Sequence, residues 1–210
     1  MDQVEGGMPM SPDDEHADET FERVFGPTDY DFFHGDTFFI VLDSVRWNGF
    51  DGYNNSGRPK NGNYVGAVSD RQIAFVENLL RHVPTDSLVV IATHIPLNGE
   101  DPRTTTANRD RLLRVLSGHS RTLSVSGHTH MQRHFYFGSA DGYEPRAGTE
   151  HHHYNVVTAS GTWWRGAEDE RGIPHTMMRD GAPNGYAVLS LTAIDTRSGT
   201  KRPVIASPSR

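Results

Sequence analysis

The sequence contains no cysteine. That excludes disulfides and every zinc site built on thiolate, so a metal site here must draw on His, Asp, Glu, Asn or backbone oxygen. No run approaches the roughly 18 apolar residues of a membrane-spanning helix. Residues 1–22 have no Lys or Arg, yet they hold eight acids, Asp2 through Glu22. The rest of the chain carries 19 acids against 20 Lys and Arg, so the net charge of −7 belongs to the leader. The body shows no basic stripe of the kind that grips nucleic acid. The start has neither a basic n-region nor an apolar h-region and does not read as a signal peptide; residues 1–20 read as an acidic flexible leader. Also missing are G-x-S-x-G, G-x-G-x-x-G, the Walker loop and H-E-x-x-H, which removes the footing for a serine hydrolase, a dinucleotide enzyme, a P-loop ATPase or a zincin protease.

What is present suits one folded domain or part of a larger one: 210 residues, 35% of them hydrophobic. "YDFFHGDTFFIVLDS" reads as a β-hairpin turning at His34-Gly35-Asp36, its second strand running from Thr37 to Leu42 and ending on Asp43. The Gly/Asn-rich stretch "WNGFDGYNNSGRPKNGNYVG" reads as a surface loop. "SDRQIAFVENLLRHVP" is the clearest helix. Ser69 and Gln72 fit a capping box, Ile73, Val76, Leu79, Leu80 and Val83 form one apolar face, and Pro84 stops it. "SLVVIATHIP" is a short apolar run typical of a strand covered on both faces. "NRDRLLRVLSGH" is a second helix, and "TLSVS" the next strand. Strand, helix, strand, helix, strand is the order of an α/β domain. "HFYF", "YNVVTAS" and "GYAVLSLTA" then read as further strands without helices between them, sheet returning on sheet.

Two strands end on histidine. His94 follows "LVVIAT", and His128 and His130 follow "TLSVS" and Gly127. In open α/β sheets ligands bind beyond the carboxyl ends of the strands. If these strands are neighbours, three imidazoles converge. In an extended segment alternate side chains share a face, which aims His128 and His130 together and Thr129 away. Gly127 allows a sharp turn and a close approach. Neutral imidazole suits Zn, Fe and Mn.

"ATHIP" (Ala92–Pro96) and "SGHTH" (Ser126–His130) resemble the last two metal motifs of the calcineurin-like metallophosphoesterase superfamily. The likeness spans roughly Phe21 to Ala193. "ETFERVFGPTDYDF", "VLDSVRWNG", "SGTWWRG" and "DGAPNGY" resemble a bacterial branch in which an additional C-terminal domain follows the catalytic one. The resemblance implies the C-terminal portion of a four-layer α/β/β/α sandwich. It also implies hydrolysis of a phosphomonoester or phosphodiester by hydroxide activated between two divalent ions, Zn, Fe or Mn. His94 and His128 would bind one ion and His130 the other. The superfamily's earlier motifs, Asp-x-His, Gly-Asp-x-x-Asp and Gly-Asn-His-Asp, do not occur. No catalytic residue is therefore assigned in this chain; such residues are expected upstream of Met1. This stretch is expected to hold at most one ion, weakly, and to be inactive or weakly active as an isolated fragment. On this reading residues 21–195 form the phosphoesterase domain, and 196–210 a linker or the start of a further domain. The partner is a phosphate-ester substrate, with neither nucleic-acid binding nor a membrane segment indicated. The alternative is a catalytically inactive binding or interaction module retaining part of the fold.

Four further residues are candidates for a substrate pocket: His151, His153, Trp163 and Trp164. "HHHYNVV" reads either as pocket wall or as an exposed turn, and in a strand at most two of its histidines can share a face. The tryptophans of "SGTWWRG" read either as a stacking wall or as a plug over the sheet. "DGAPNGY" reads as a structural turn, and Asp43 as a strand-end hydrogen-bond partner.

Overall fold

The hairpin forms where its turn residues place it. β1 (Tyr30–His34) and β2 (Thr37–Val41) pair antiparallel, and Gly35 takes φ +57°, the left-handed conformation a two-residue hairpin turn requires. This computed structural model describes residues 18–50, 62–144, 149–156, 158–159, 165–174, 178, 180–191 and 204–206. The leader up to residue 17, Trp163, Trp164 and most of the 196–210 tail lie outside the described residues. A short helix, α1 (Glu19–Phe25), precedes the hairpin and buries none of its residues.

The Gly/Asn-rich stretch departs from the loop expectation at both ends. β3 (Val45–Phe50) and β4 (Gly62–Ala67) pair antiparallel, and Trp47 is buried. α2 (Asp70–Leu80) starts where the capping residues predict: Ser69 Oγ accepts from the Gln72 amide at 3.2 Å, and Gln72 Oε1 accepts from the Ser69 amide at 2.8 Å. Such a cap is worth about 1 kcal/mol. The same glutamine's Nε2 donates to Asp29 Oδ1 and to the carbonyl of Asp43, which ties the helix start to the end of β2. β5 (Leu88–Ala92), the two-residue β6 (Thr106–Ala107), α3 (Arg109–Leu116) and β7 (Arg121–Ser126) follow, then β8 (Arg133–Phe137), β9 (His151–Asn155), β10 (Val188–Ser190) and β11 (Val204–Ala206).

Among the described residues the main sheet has six strands in the order β1-β2-β5-β7-β9-β8. β2, β5, β7 and β9 run parallel, and β1 and β8 close the edges antiparallel. The fold is mixed α/β, as expected for the C-terminal portion of the sandwich. The later strands differ from the expectation of a returning sheet: β9 and β8 extend the same sheet. β9 begins three residues before the apolar "YNVV", on histidines whose polarity hides that part of the strand. β3, β4 and β6 make a second sheet, and β10 pairs with β11.

α2 and α3 bury Ile73, Val76, Leu80, Leu112, Leu113 and Leu116 on one face of the main sheet, against Phe38, Ile40, Val89 and Ile91. Each fully buried aliphatic side chain contributes about 1.5–3 kcal/mol. On the other face Leu88, Val90 and Leu123 pack with Phe39, Val125, Leu189 and Leu191. In β4, Gly66 has no room for a side chain. A Cβ there would lie 2.5 Å from the Thr105 carbonyl oxygen and 2.6 Å from Ile95 Cγ2. Gly66→Ala is expected to cost about 1–3 kcal/mol, as overpacking against backbone does. Urea unfolding checks this, and an unchanged midpoint would show that the two strands separate freely.

Candidate metal centre

β2, β5 and β7 are parallel neighbours, so their carboxyl ends lie on one edge, followed by Asp43, His94 and His128 respectively. Asp43 Oδ1 accepts from the Val45 amide at 2.9 Å, and the Asp43 amide donates to Asp29 Oδ1 at 3.0 Å. The next residue, Ser44, is wholly buried. Its Oγ accepts from the amides of His94 (3.1 Å) and Ile95 (2.8 Å). One hydroxyl thus satisfies two consecutive amides of the segment that carries His94.

His94 Nε2 and His128 Nδ1 lie 2.9 Å apart. His128 Nε2 lies 3.4 Å from the Tyr64 hydroxyl, and the ring also bonds the backbone carbonyl of Arg103. That bond gives one ring N–H of His128 a carbonyl acceptor. Donation of the outer N–H to a carbonyl is the usual second contact of a metal-binding histidine. Burial pushes His94 down to about 4, helped by the like charge of His128. Burial also lowers His128, opposed by the Arg103 carbonyl and the Asp101 carboxylate. Both rings are therefore neutral at neutral pH, the form that ligates.

The donor pair can be tested against an ion. With metal–nitrogen bonds of about 2.0–2.1 Å, two nitrogens on one ion stand about 2.9 Å apart at a right angle and about 3.3 Å apart at the tetrahedral angle. The observed separation fits two imidazoles on one ion. His130 is near enough to lower the pKa values of both His94 and His128. Among the described residues, however, no group of three His, Asp or Glu side chains is placed to hold an ion.

The loop bearing His128 and His130 is not extended. His128 takes φ +71° and His130 φ +53°, so strand alternation is not what directs the two rings. Non-glycine residues in this region cost about 1–3 kcal/mol each and persist only when their surroundings fix them. Gly127 is outside the left-handed region, and a Cβ there would meet nothing within 4 Å; close approach therefore does not explain it. The restraints come from elsewhere. Asn155 Nδ2 donates to Thr129 Oγ1 at 2.6 Å and to the Met131 carbonyl. The amide of Gln132 donates to Asp180 Oδ2 at 2.6 Å, so the "DGAPNGY" turn touches the histidine loop. Ser44, Asn155, Tyr64 and Asp180 were not singled out for this edge in the sequence. The one signal was polar residues in otherwise apolar runs, as at Asn155.

His151 and His153 lie in the interior, on β9, neither in a turn nor at the surface; both have 0% exposure. They share a face, as strand geometry requires, and hydroxyl groups surround them. Burial pushes each down to about 3, with neighbouring histidine charges adding to it. On the opposite face of β8 and β9, His134 Nδ1 and His152 Nε2 form a second imidazole contact at 2.9 Å. Trp163 and Trp164 fall outside the described residues.

Residues 153–197 match a family model described as the C terminal of calcineurin-like phosphoesterase. No curated protein matches the chain. The matched segment begins at His153 and includes Asn155 and Asp180, the residues that restrain the 128–132 loop. The superfamily it names is the one that "ATHIP" and "SGHTH" resemble.

Proposed function

From this relationship to calcineurin-like phosphoesterases we propose that the chain carries the histidine side of a metal-dependent phosphoesterase site acting on phosphomonoesters or phosphodiesters. The 2.9 Å approach of His94 Nε2 to His128 Nδ1 at the carboxyl edge of the sheet carries the reading. His94 and His128 would hold one divalent ion, Zn, Fe or Mn, and His130 would serve a second. Bound there, such ions polarise phosphoryl oxygens and lower the pKa of water. The chain's own residues keep both imidazoles neutral by burial, orient His128 through the Arg103 carbonyl, and seat His94 on Ser44. No catalytic acid or base is assigned within the chain.

Calorimetric titration with Zn2+ tests this, in a His134→Ala background that removes the second imidazole contact. His94→Ala and His128→Ala are each expected to weaken binding at least about tenfold, in line with the loss of a ligand or of its support. Unchanged affinity in both would overturn the assignment. The absence of a three-ligand group among the described residues favours a second reading, an inactive interaction module. Background protein that binds no Zn2+ and releases no nitrophenol from bis-p-nitrophenyl phosphate would select it.

A further inference from the structure

β7 and β9 pair parallel, with Ser124 opposite His153 and Ser126 opposite Asn155. Their inward side chains form one line of polar contacts within hydrogen-bond distance. Thr122 Oγ1 meets His151 Nδ1 at 2.7 Å, and His151 Nε2 meets Ser124 Oγ at 2.7 Å. Ser124 Oγ meets His153 Nδ1 at 2.7 Å, and His153 Nε2 meets Ser126 Oγ at 3.0 Å. Ser126 Oγ lies 2.9 Å from Asn155 Oδ1. Ser124, Ser126, His151, His153 and Asn155 are all buried.

The line touches both histidine-bearing segments. The Leu97 amide, three residues after His94, donates to His153 Nε2 at 3.3 Å. An amide can only donate, so that nitrogen holds the lone pair and Nδ1 holds the proton. The Nδ1 proton goes to Ser124 Oγ, whose own proton is then free to go to His151 Nε2, and His151 Nδ1 donates onward to Thr122. At the other end Asn155 presents Oδ1 to Ser126, so its amide nitrogen faces the loop. Both of that nitrogen's protons are used there, on Thr129 Oγ1 and the Met131 carbonyl. Those two acceptors bracket His130, and Thr129 separates it from His128. Both histidines hold a backbone conformation that a loop does not keep unaided.

We propose that His153 and Asn155 are positioning residues for the metal site, a buried polar strut on β9 that sets the His94 segment through Leu97 and the His128–His130 loop through Thr129 and Met131. The inference rests on the metal-site reading above. It adds that β9, two strands away from β5, fixes the separation of the ligand-bearing segments. It also gives the interior histidines a role other than contact with substrate.

The test uses the full chain in the His134→Ala background, with Co2+ alone as probe, read by calorimetry and by the visible absorption of the bound ion. Asn155→Asp keeps the size of the side chain and removes its two protons. Thr129→Val removes the acceptor at the far end. Each is expected to weaken Co2+ binding about 10–100-fold, the usual effect of removing a ligand's outer support. The absorption bands should shift, while the apo-protein melts within a few degrees of the background. Should Asn155→Asp fail to fold, Thr129→Val decides, because its change is confined to the loop. If the background protein binds Co2+ and both folded variants match it in affinity and spectrum, the strut proposal is wrong. If the background protein binds no better than His128→Ala, it is the metal-site reading that fails.

Discussion

Lowering the pH from 7 to about 4.5 should remove about 5 kcal/mol of folding stability through His151 and His153 alone. Both rings are wholly buried and neutral, each pushed down from 6.5 to about 3, first by burial and then by neighbouring histidine charge. In the unfolded chain they take up protons near 6.5; in the folded chain they do so only near 3. Between those values the unfolded state binds more protons, so stability is full above about 6.5 and falls as the pH drops. Each group contributes a slope of about 1.4 kcal/mol per pH unit, or about 2–3 kcal/mol over this interval. His94, held at about 4, loses stability in the same direction. The sum is comparable with the whole stability of an ordinary domain, about 5–15 kcal/mol. Urea unfolding at half-unit steps of pH measures the slope. A flat profile between about pH 6.5 and 4.5 would mean that these rings already carry a proton in the folded state or reach solvent.

Ser44→Ala is expected to cost about 2–4 kcal/mol and to weaken metal binding, although Ser44 itself faces no ion. Its Oγ is the acceptor for two amides, His94 and Ile95, at a fully buried position. Removing a hydroxyl that satisfies buried donors costs about 1–3 kcal/mol for each group left without a partner. The segment after β5 would shift to find another acceptor, taking the His94 ring away from His128. Chemical denaturation reads the first effect, and Zn2+ calorimetry on the folded fraction the second. Ser44→Thr keeps the hydroxyl and should retain most of the affinity. Equal behaviour of the alanine and threonine variants would remove Ser44 from the support of the site.

These expectations depend on parts of the chain that differ in how openly they could be read. The apolar run "LVVIA", the capped helix at Ser69 and the hairpin at Gly35 announce themselves, because each follows from local backbone chemistry and a short hydrophobic period. β3 and β4 stayed hidden because Gly and Asn dominate their connection, and because their pairing is a long-range matter of Trp47 finding a buried position. The start of β9, His151 to His153, stayed hidden because strands are recognised by apolar alternation, and its buried face is polar, satisfied by hydroxyls of β7 that lie far away in sequence.

Local sequence alone settled the succession of β2, α2, β5, α3 and β7, and that His94 and His128 each follow a β-strand, since both are consequences of neighbours along the chain. Only the folded arrangement decided that β5 and β7 lie side by side and that His94 Nε2 faces His128 Nδ1. It also decided that His128 and His130 are set by left-handed backbone and by Asn155, not by extended alternation. The reason is physical: register between strands and the partner of a buried polar group depend on residues tens of positions apart, and no short window of sequence contains both.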